Sequence, residues 1–171
     1  LPHSVASRGL GDVYKRQAPE LILQPIKAVG QSLRFTGVSV GNPHCVVFKA
    51  KGETWSREDL LRMGPELEIH PTFPKRTNVQ LAVPTGSKTI SILIWERGAG
   101  ETQASGSSAC AVASAAVRLG LVTSPVRVVA PGGTLDIKVD AQYNLTMKGP
   151  VVEVYKGQLR PSFLRLSLIH L

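Results

Sequence analysis

The chain has 171 residues, 43% hydrophobic and 19% charged, which is enough apolar matter for the core of one domain and too much for a disordered tail. Aromatics at 5% are too sparse for the stacking platforms of single-strand nucleic-acid binders; two cysteines make neither a disulfide framework nor a zinc cluster, and no apolar run approaches the roughly 18 residues that span a bilayer. The net charge of +8 is dispersed: residues 1–17 and 158–171 hold +2 each, and the remaining +4 forms no basic stripe, which argues against nucleic acid as a partner.

Along the chain, LPHSVASRGLGDVYKRQ (1–17) shows no sustained hydrophobic period and no signal-peptide pattern, so it is expected to be non-native to the fold. The expected location is a reducing compartment, the cytoplasm. The folded body is expected over 18–158. It opens with two runs rich in β-branched residues, LRFTGVSV (33–40) and HCVVFKA (44–50), which read as strands. SREDLLRMGPELEIH (56–70) reads as a helix with Ser56 as cap and Glu58 and Asp59 at its positive end. Leu60, Leu61, Met63 and Leu67 are expected to form its apolar face, with Pro65 breaking or kinking it.

NVQLAV (78–83) and KTISILIWE (88–96) follow as strands joined by the turn residues PTG, the second alternating through Ile90, Ile92 and Ile94. SSACAVASAAVRLG (107–120) has small apolar residues on nearly every side and ends at Gly120, the signature of a buried helix. VRVVA (126–130), TLDIKVD (134–140), YNLTMKG (143–149) and VVEVYKG (151–157) complete the strands. The tail from 159 to 171 is a short apolar run expected to be non-native. Short strands, tight turns and one all-apolar helix imply an α+β fold, a mostly antiparallel sheet rolled around a central buried helix.

Chemistry concentrates at the entry to that helix, in WERGAGETQASGSSAC. Gly98, Gly100 and Gly106 relax the backbone, and Gly106, Ser107 and Ser108 leave N–H groups at a positive helix end suited to a carboxylate or phosphate. No GK[ST] follows, so the loop is not a P-loop.

VSVGNPHCVVF, HPTFPKRTNVQLAV, WERGAGETQASGSSACA and PGGTLDIKV…MKGPVVEVYKG occur in the order and approximate spacing of the C-terminal lobe of diaminopimelate epimerases, and about 130 residues of the chain resemble that family. The resemblance implies a cofactor-independent amino-acid epimerase with no metal. Each of its two pseudo-symmetric lobes is a sheet rolled around a helix and offers one cysteine to the substrate α-carbon. The substrate implied is LL-diaminopimelate, converted to the meso form for lysine and peptidoglycan precursors. The partners implied are this small amino acid, an N-terminal lobe with no match in the chain, and, as an open alternative, a second copy.

Carried over residue by residue, the resemblance makes Asn42 of GNPH and Asn78 of the TN pair substrate-binding carboxamides. Arg97 would grip the distal carboxylate, Glu96 would accept from the ammonium, and Gly106 and Ser107 would offer N–H groups to the α-carboxylate. His44 matches a histidine that tunes a catalytic thiol, so the catalytic group is Ser105, His44 and Glu96. The departure is Ser105, because the family pattern there is ACG and this chain reads ASG. A thiol at a helix N-terminus supplies thiolate near neutral pH, which a serine hydroxyl does not. Cys110, five residues on, and Cys45, on the opposite strand face from His44, read as small core hydrophobes. Two readings stay open: an epimerase acting as part of a larger protein, with the chain alone inactive, or an altered paralogue that binds an amino acid without turnover or acts as a hydroxyproline-type dehydratase or epimerase.

Overall fold

The computed structural model describes residues 4–5, 21–158 and 160–162, the first pair by backbone alone. The terminal segments singled out above, 1–17 and 159–171, lie mostly outside the described residues. The chain order is β1 (Ser4–Val5), β2 (Gln24–Ala28), β3 (Gln31–Ser39), β4 (Pro43–Phe48), α1 (Arg57–Glu68), β5 (Asn78–Pro84), β6 (Thr89–Glu96), β7 (Gly100–Thr102), α2 (Gly106–Arg118), β8 (Val126–Ala130), β9 (Gly133–Val139) and β10 (Leu145–Lys148).

All strands join one sheet in the order β1-β10-β9-β8-β6-β5-β4-β3-β2, with β7 paired to β6. Most neighbours are antiparallel; the parallel pairs, β4 with β5 and β6 with β8, are the two whose connection contains a helix. A parallel pair needs a crossover long enough to return the chain to the same end, and α1 and α2 supply it.

The period-2 pattern of the strands sorts their side chains onto two cores. Val38, Val46, Ala82, Ile90, Ile92 and Ile94 face α2, which touches β3 to β6 and β8 to β10 and is buried without a break from Ser108 to Ala116. Its alanines and serines keep the helix thin, so the sheet closes around it. Phe35, Cys45, Val47, Val79 and Leu81 face the other way and pack with Leu60, Met63 and Leu67 of α1. The expected α+β architecture, a sheet rolled on a central helix, is present, with α1 covering a second face.

Local outcomes differ where tertiary context overrides propensity. α1 begins on Ser56 in a reciprocal capping box with Asp59, but it runs through Pro65 to Glu68. The carbonyl that Pro65 leaves without its helical partner belongs to Leu61, a residue that is exposed where an apolar-face position was expected. β2 and β7 were not foreseen: each is short, and each is held by pairing to a longer neighbour, β3 and β6. VVEVYKG forms no strand; Val151, Val152, Val154 and Tyr155 are exposed, and no described strand lies alongside. No helix is long and apolar enough to cross a membrane among the described residues.

Candidate functional site

β4 and β5 run parallel, with His44 opposite Asn78, and β6 runs back to end at Glu96. Their adjoining ends therefore bring GNPH, the TN pair and ERG to one end of the sheet. The N-terminus of α2 meets the same end, because Gln80 Nε2 donates to Ser108 Oγ at 3.0 Å. Residues that are far apart in sequence are joined here by backbone pairing.

The carboxamides and the guanidinium are tied to one another. Asn78, buried, accepts from the Arg97 backbone N–H at 3.0 Å and donates to the Pro43 carbonyl at 2.9 Å, so it clamps the β6–β7 turn against the GNPH loop. Arg97 donates from Nη1 to the Lys75 carbonyl at 3.1 Å while the residue stays exposed. Gly41, Asn42, Pro43, Phe73, Pro74, Lys75, Arg76 and Arg97 line a cleft of about 380 Å³. Its cations and single carboxamide suit an anionic group. Glu96, half-buried at the strand end, has no described partner for its carboxylate.

His44 is fully buried, and both ring nitrogens are engaged: Nε2 lies 3.0 Å from Asn42 Oδ1, and Nδ1 lies 3.0 Å from Gln80 Nε2. The hydrogen-bond network assigns the proton to Nε2, because the Gln80 amide nitrogen can only donate to Nδ1. In this orientation Gln80 Oε1 is a buried acceptor without a described partner; turning the amide over would strand two donors instead. Asn42 Oδ1 is thereby engaged, and its amide nitrogen has no described acceptor. Burial lowers the His44 pKa to about 4; the Gln80 hydrogen bond works against this and the Arg97 charge adds to it.

A buried neutral histidine makes stability depend on pH. The folded value of about 4 lies below the ordinary 6.5, so the unfolded chain takes up the proton first. The stability present above pH 6.5 is lost as pH falls toward 4. Between pH 6.5 and 5, before most carboxylates titrate, the loss from His44 should be about 2 kcal/mol. Urea unfolding at the two pH values checks this, and His44→Gln should remove most of that difference.

Ser105 caps α2: its backbone is extended, and its Oγ accepts from the Ser108 N–H at 3.5 Å, with Ser107 Oγ 3.4 Å away. Gly106 and Ser107 are the first helical residues, and their N–H groups have no described acceptor. A Cβ on Gly106 would sit 3.0 Å from Met147 Sδ, so the helix start is pressed close to β10. Cys45 lies in the α1 core and Cys110 in the α2 core; burial raises both thiols, Cys110 to about 11. Neither is a thiolate at neutral pH.

Gln80 and Glu68 were not singled out from the sequence. The signal for Gln80 was an amide at an inward position of an otherwise apolar strand, and for Glu68 an acid in the last turn of a helix, where the dipole disfavours it. Among the described residues no group of three or more His, Cys, Asp or Glu could hold a metal ion.

Fold and site together place a cleft lined by Lys75, Arg76 and Arg97 at the end of the sheet where GNPH, the TN pair and ERG meet. The sequence pattern of the family described as diaminopimelate epimerase matches residues 36–154. The diaminopimelate epimerase of Synechococcus sp. (strain JA-3-3Ab) is 41% identical over 139 residues, 81% of this chain and 49% of that protein. That of Desulfitobacterium hafniense is 44% identical over 130 residues, 76% of this chain and 45% of that protein. The chain belongs to the diaminopimelate epimerase family, and it spans about half the length of these curated relatives. Among solved structures, a predicted epimerase from Pseudomonas aeruginosa aligns with TM-score 0.48 and 22% identity, covering 70% of this chain and 42% of the other. A PhzF-family phenazine biosynthesis protein from Bacillus anthracis aligns with TM-score 0.46 and 15% identity, covering 67% and 44%.

Proposed function

We propose that the chain is one lobe of a cofactor-independent epimerase that interconverts LL- and meso-diaminopimelate, with residues 18–158 forming the lobe. The observation that carries this reading is the start of α2: two N–H groups without acceptors, at Gly106 and Ser107, beside Ser105 and at the end of the sheet that also holds Asn42, Asn78, Glu96 and Arg97. In this reading the α-carboxylate docks on the two N–H groups, where half a unit of positive dipole charge favours it and stabilises the developing carbanion. Glu96 accepts from the α-ammonium. Asn42 and Arg97 hold the distal carboxylate, Asn42 as a donor because His44 occupies its oxygen. Asn78 acts at one remove, by fixing the Arg97 backbone.

Ser105 occupies the position from which the α-proton would leave toward this lobe, and a cysteine on the other lobe would face the opposite side. The second reading, an altered paralogue that binds an amino acid without inverting it, is favoured by one feature: Ser105 Oγ is a helix cap with no base beside it. The test is to follow the full-length protein with LL- and meso-diaminopimelate in deuterated water by proton NMR. Loss of α-proton signal with formation of the epimer supports the first reading; saturable binding with no exchange from either isomer supports the second.

A further inference from the structure

Among the described residues, the buried charge with the most partners lies outside the cleft. Glu68, 7% exposed at the end of α1, accepts from Trp95 Nε1 at 2.7 Å through Oε2, and from the Gly98 N–H at 3.0 Å through Oε1. Arg76 Nη1 approaches the same Oε1 at 3.4 Å, and the Glu68 backbone carbonyl accepts from the Thr77 N–H at 3.0 Å. Burial alone would raise this carboxyl, but the hydrogen bonds from Trp95 and Gly98 and the Arg76 charge outweigh it and hold it below the usual range.

These contacts bracket Arg97 on both sides. Gly98, at φ +77°, is its immediate neighbour in the β6–β7 turn. Arg76, at φ +58°, is the neighbour of Lys75, whose carbonyl takes the Arg97 guanidinium. A non-glycine residue in the left-handed region needs its surroundings to hold it there: the Arg76 N–H donates to the Phe73 carbonyl at 2.8 Å, the Thr77 N–H donates to the Glu68 carbonyl, and the Arg76 side chain reaches the Glu68 carboxylate. The Glu68 carboxylate thus links the two loops, 75–77 and 96–98, between which Arg97 is stretched, binding the Gly98 N–H in one and the Arg76 guanidinium in the other.

We infer that Glu68 is a positioning residue for the distal-carboxylate end of the cleft, acting through Arg97 rather than on the substrate. This rests on the reading of Arg97 as a carboxylate ligand. The probe is pimelate, a dicarboxylate of the same chain length without the amino groups, so binding is read without turnover. Titrations of the full-length protein would compare wild type, Glu68→Gln, Arg97→Ala and the double variant, with Gly98 amide and Trp95 indole resonances followed by nitrogen-15 NMR.

Glu68→Gln presents an amide N–H2 to donors, so both resonances should move and pimelate should bind about tenfold more weakly. In the Arg97→Ala background the same change should cost less than about twofold, because coupled residues are not additive. If Glu68→Gln does not fold, Glu68→Asp carries the same cycle: it keeps the charge but withdraws it from one partner. Equal weakening in both backgrounds, unmoved Gly98 and Trp95 resonances, or a wild-type protein that does not bind pimelate overturns the inference. An enzyme that turns over diaminopimelate while its pimelate affinity ignores Glu68 refutes this inference alone; a protein with no turnover but the expected cycle refutes only the proposed function.

Discussion

Ser105→Cys in the full-length protein should raise the rate of inversion relative to proton exchange by about 100-fold, about 2.7 kcal/mol of barrier, within the range of a positioned acid or base. In the proposed two-lobed enzyme, if the other lobe carries its cysteine, serine here makes the two faces of the α-carbon meet unequal partners. The isomer whose proton faces the other lobe's thiolate can lose it, but the carbanion is reprotonated from the same side, since the hydroxyl on this side is a poor acid as well as a poor base. In deuterated water that isomer should take up label faster than it inverts, and its epimer should exchange slowly. The geometry favours a thiolate at this position. Ser105 is the N-cap, its Oγ already accepts from the Ser108 N–H, and the free N–H groups of Gly106 and Ser107 lie at the same helix end. A negative sulfur would draw on the Ser108 N–H and on the dipole, offsetting the roughly 1 kcal/mol by which a thiol is the weaker cap. If both epimers wash in label equally fast and the substitution leaves inversion unchanged, Ser105 does not stand in the path of the proton.

Much of this fold could be read from pattern. The all-apolar run 107–120 required burial on every side, and α2 has it from Ser108 to Ala116. Alternation at Ile90, Ile92 and Ile94 placed those residues on one face, and they lie against α2. The same propensities misled at 151–157, where valines and tyrosine have strand character but no described edge to pair with; β-propensity is largely fit to a neighbouring strand. Pro65 reads as a breaker in isolation, yet α1 continues because Met63 and Leu67 on either side are anchored in the core. At the site, strings such as GNPH and ERG identify residue types but not what each side chain touches. Asn78 reads as a substrate ligand from its motif, while its tie between Arg97 and Pro43 becomes visible only in the fold. His44 reads as a tuner of the catalytic thiol position, while its bonds to Asn42 and Gln80 become visible only in the fold. Those roles depend on register across β4, β5 and β6, which is a long-range property.

The chain of 171 residues alone should show no exchange of the diaminopimelate α-proton above the buffer blank, a loss of at least about 10⁴-fold against an active two-lobed enzyme. None of its described cysteines, nor His44 or Ser105, supplies a base able to take the α-proton. Cys45 and Cys110 are buried among apolar side chains with their thiols pushed up, His44 is neutral with both nitrogens engaged, and Ser105 is an ordinary hydroxyl. Binding to one wall also leaves the substrate free to turn away, so the gain from holding base and carbon in register is lost. Ser105→Cys in this same chain separates the two deficits. The introduced thiol should react with iodoacetamide near neutral pH, while Cys45 and Cys110 stay unmodified in the folded state. Exchange should remain at the blank, since a competent thiolate without the facing wall still lacks a positioned substrate. Measurable exchange by the purified chain, from material free of host epimerase, would mean that this lobe carries a base of its own, and the division of labour between two walls would have to be given up.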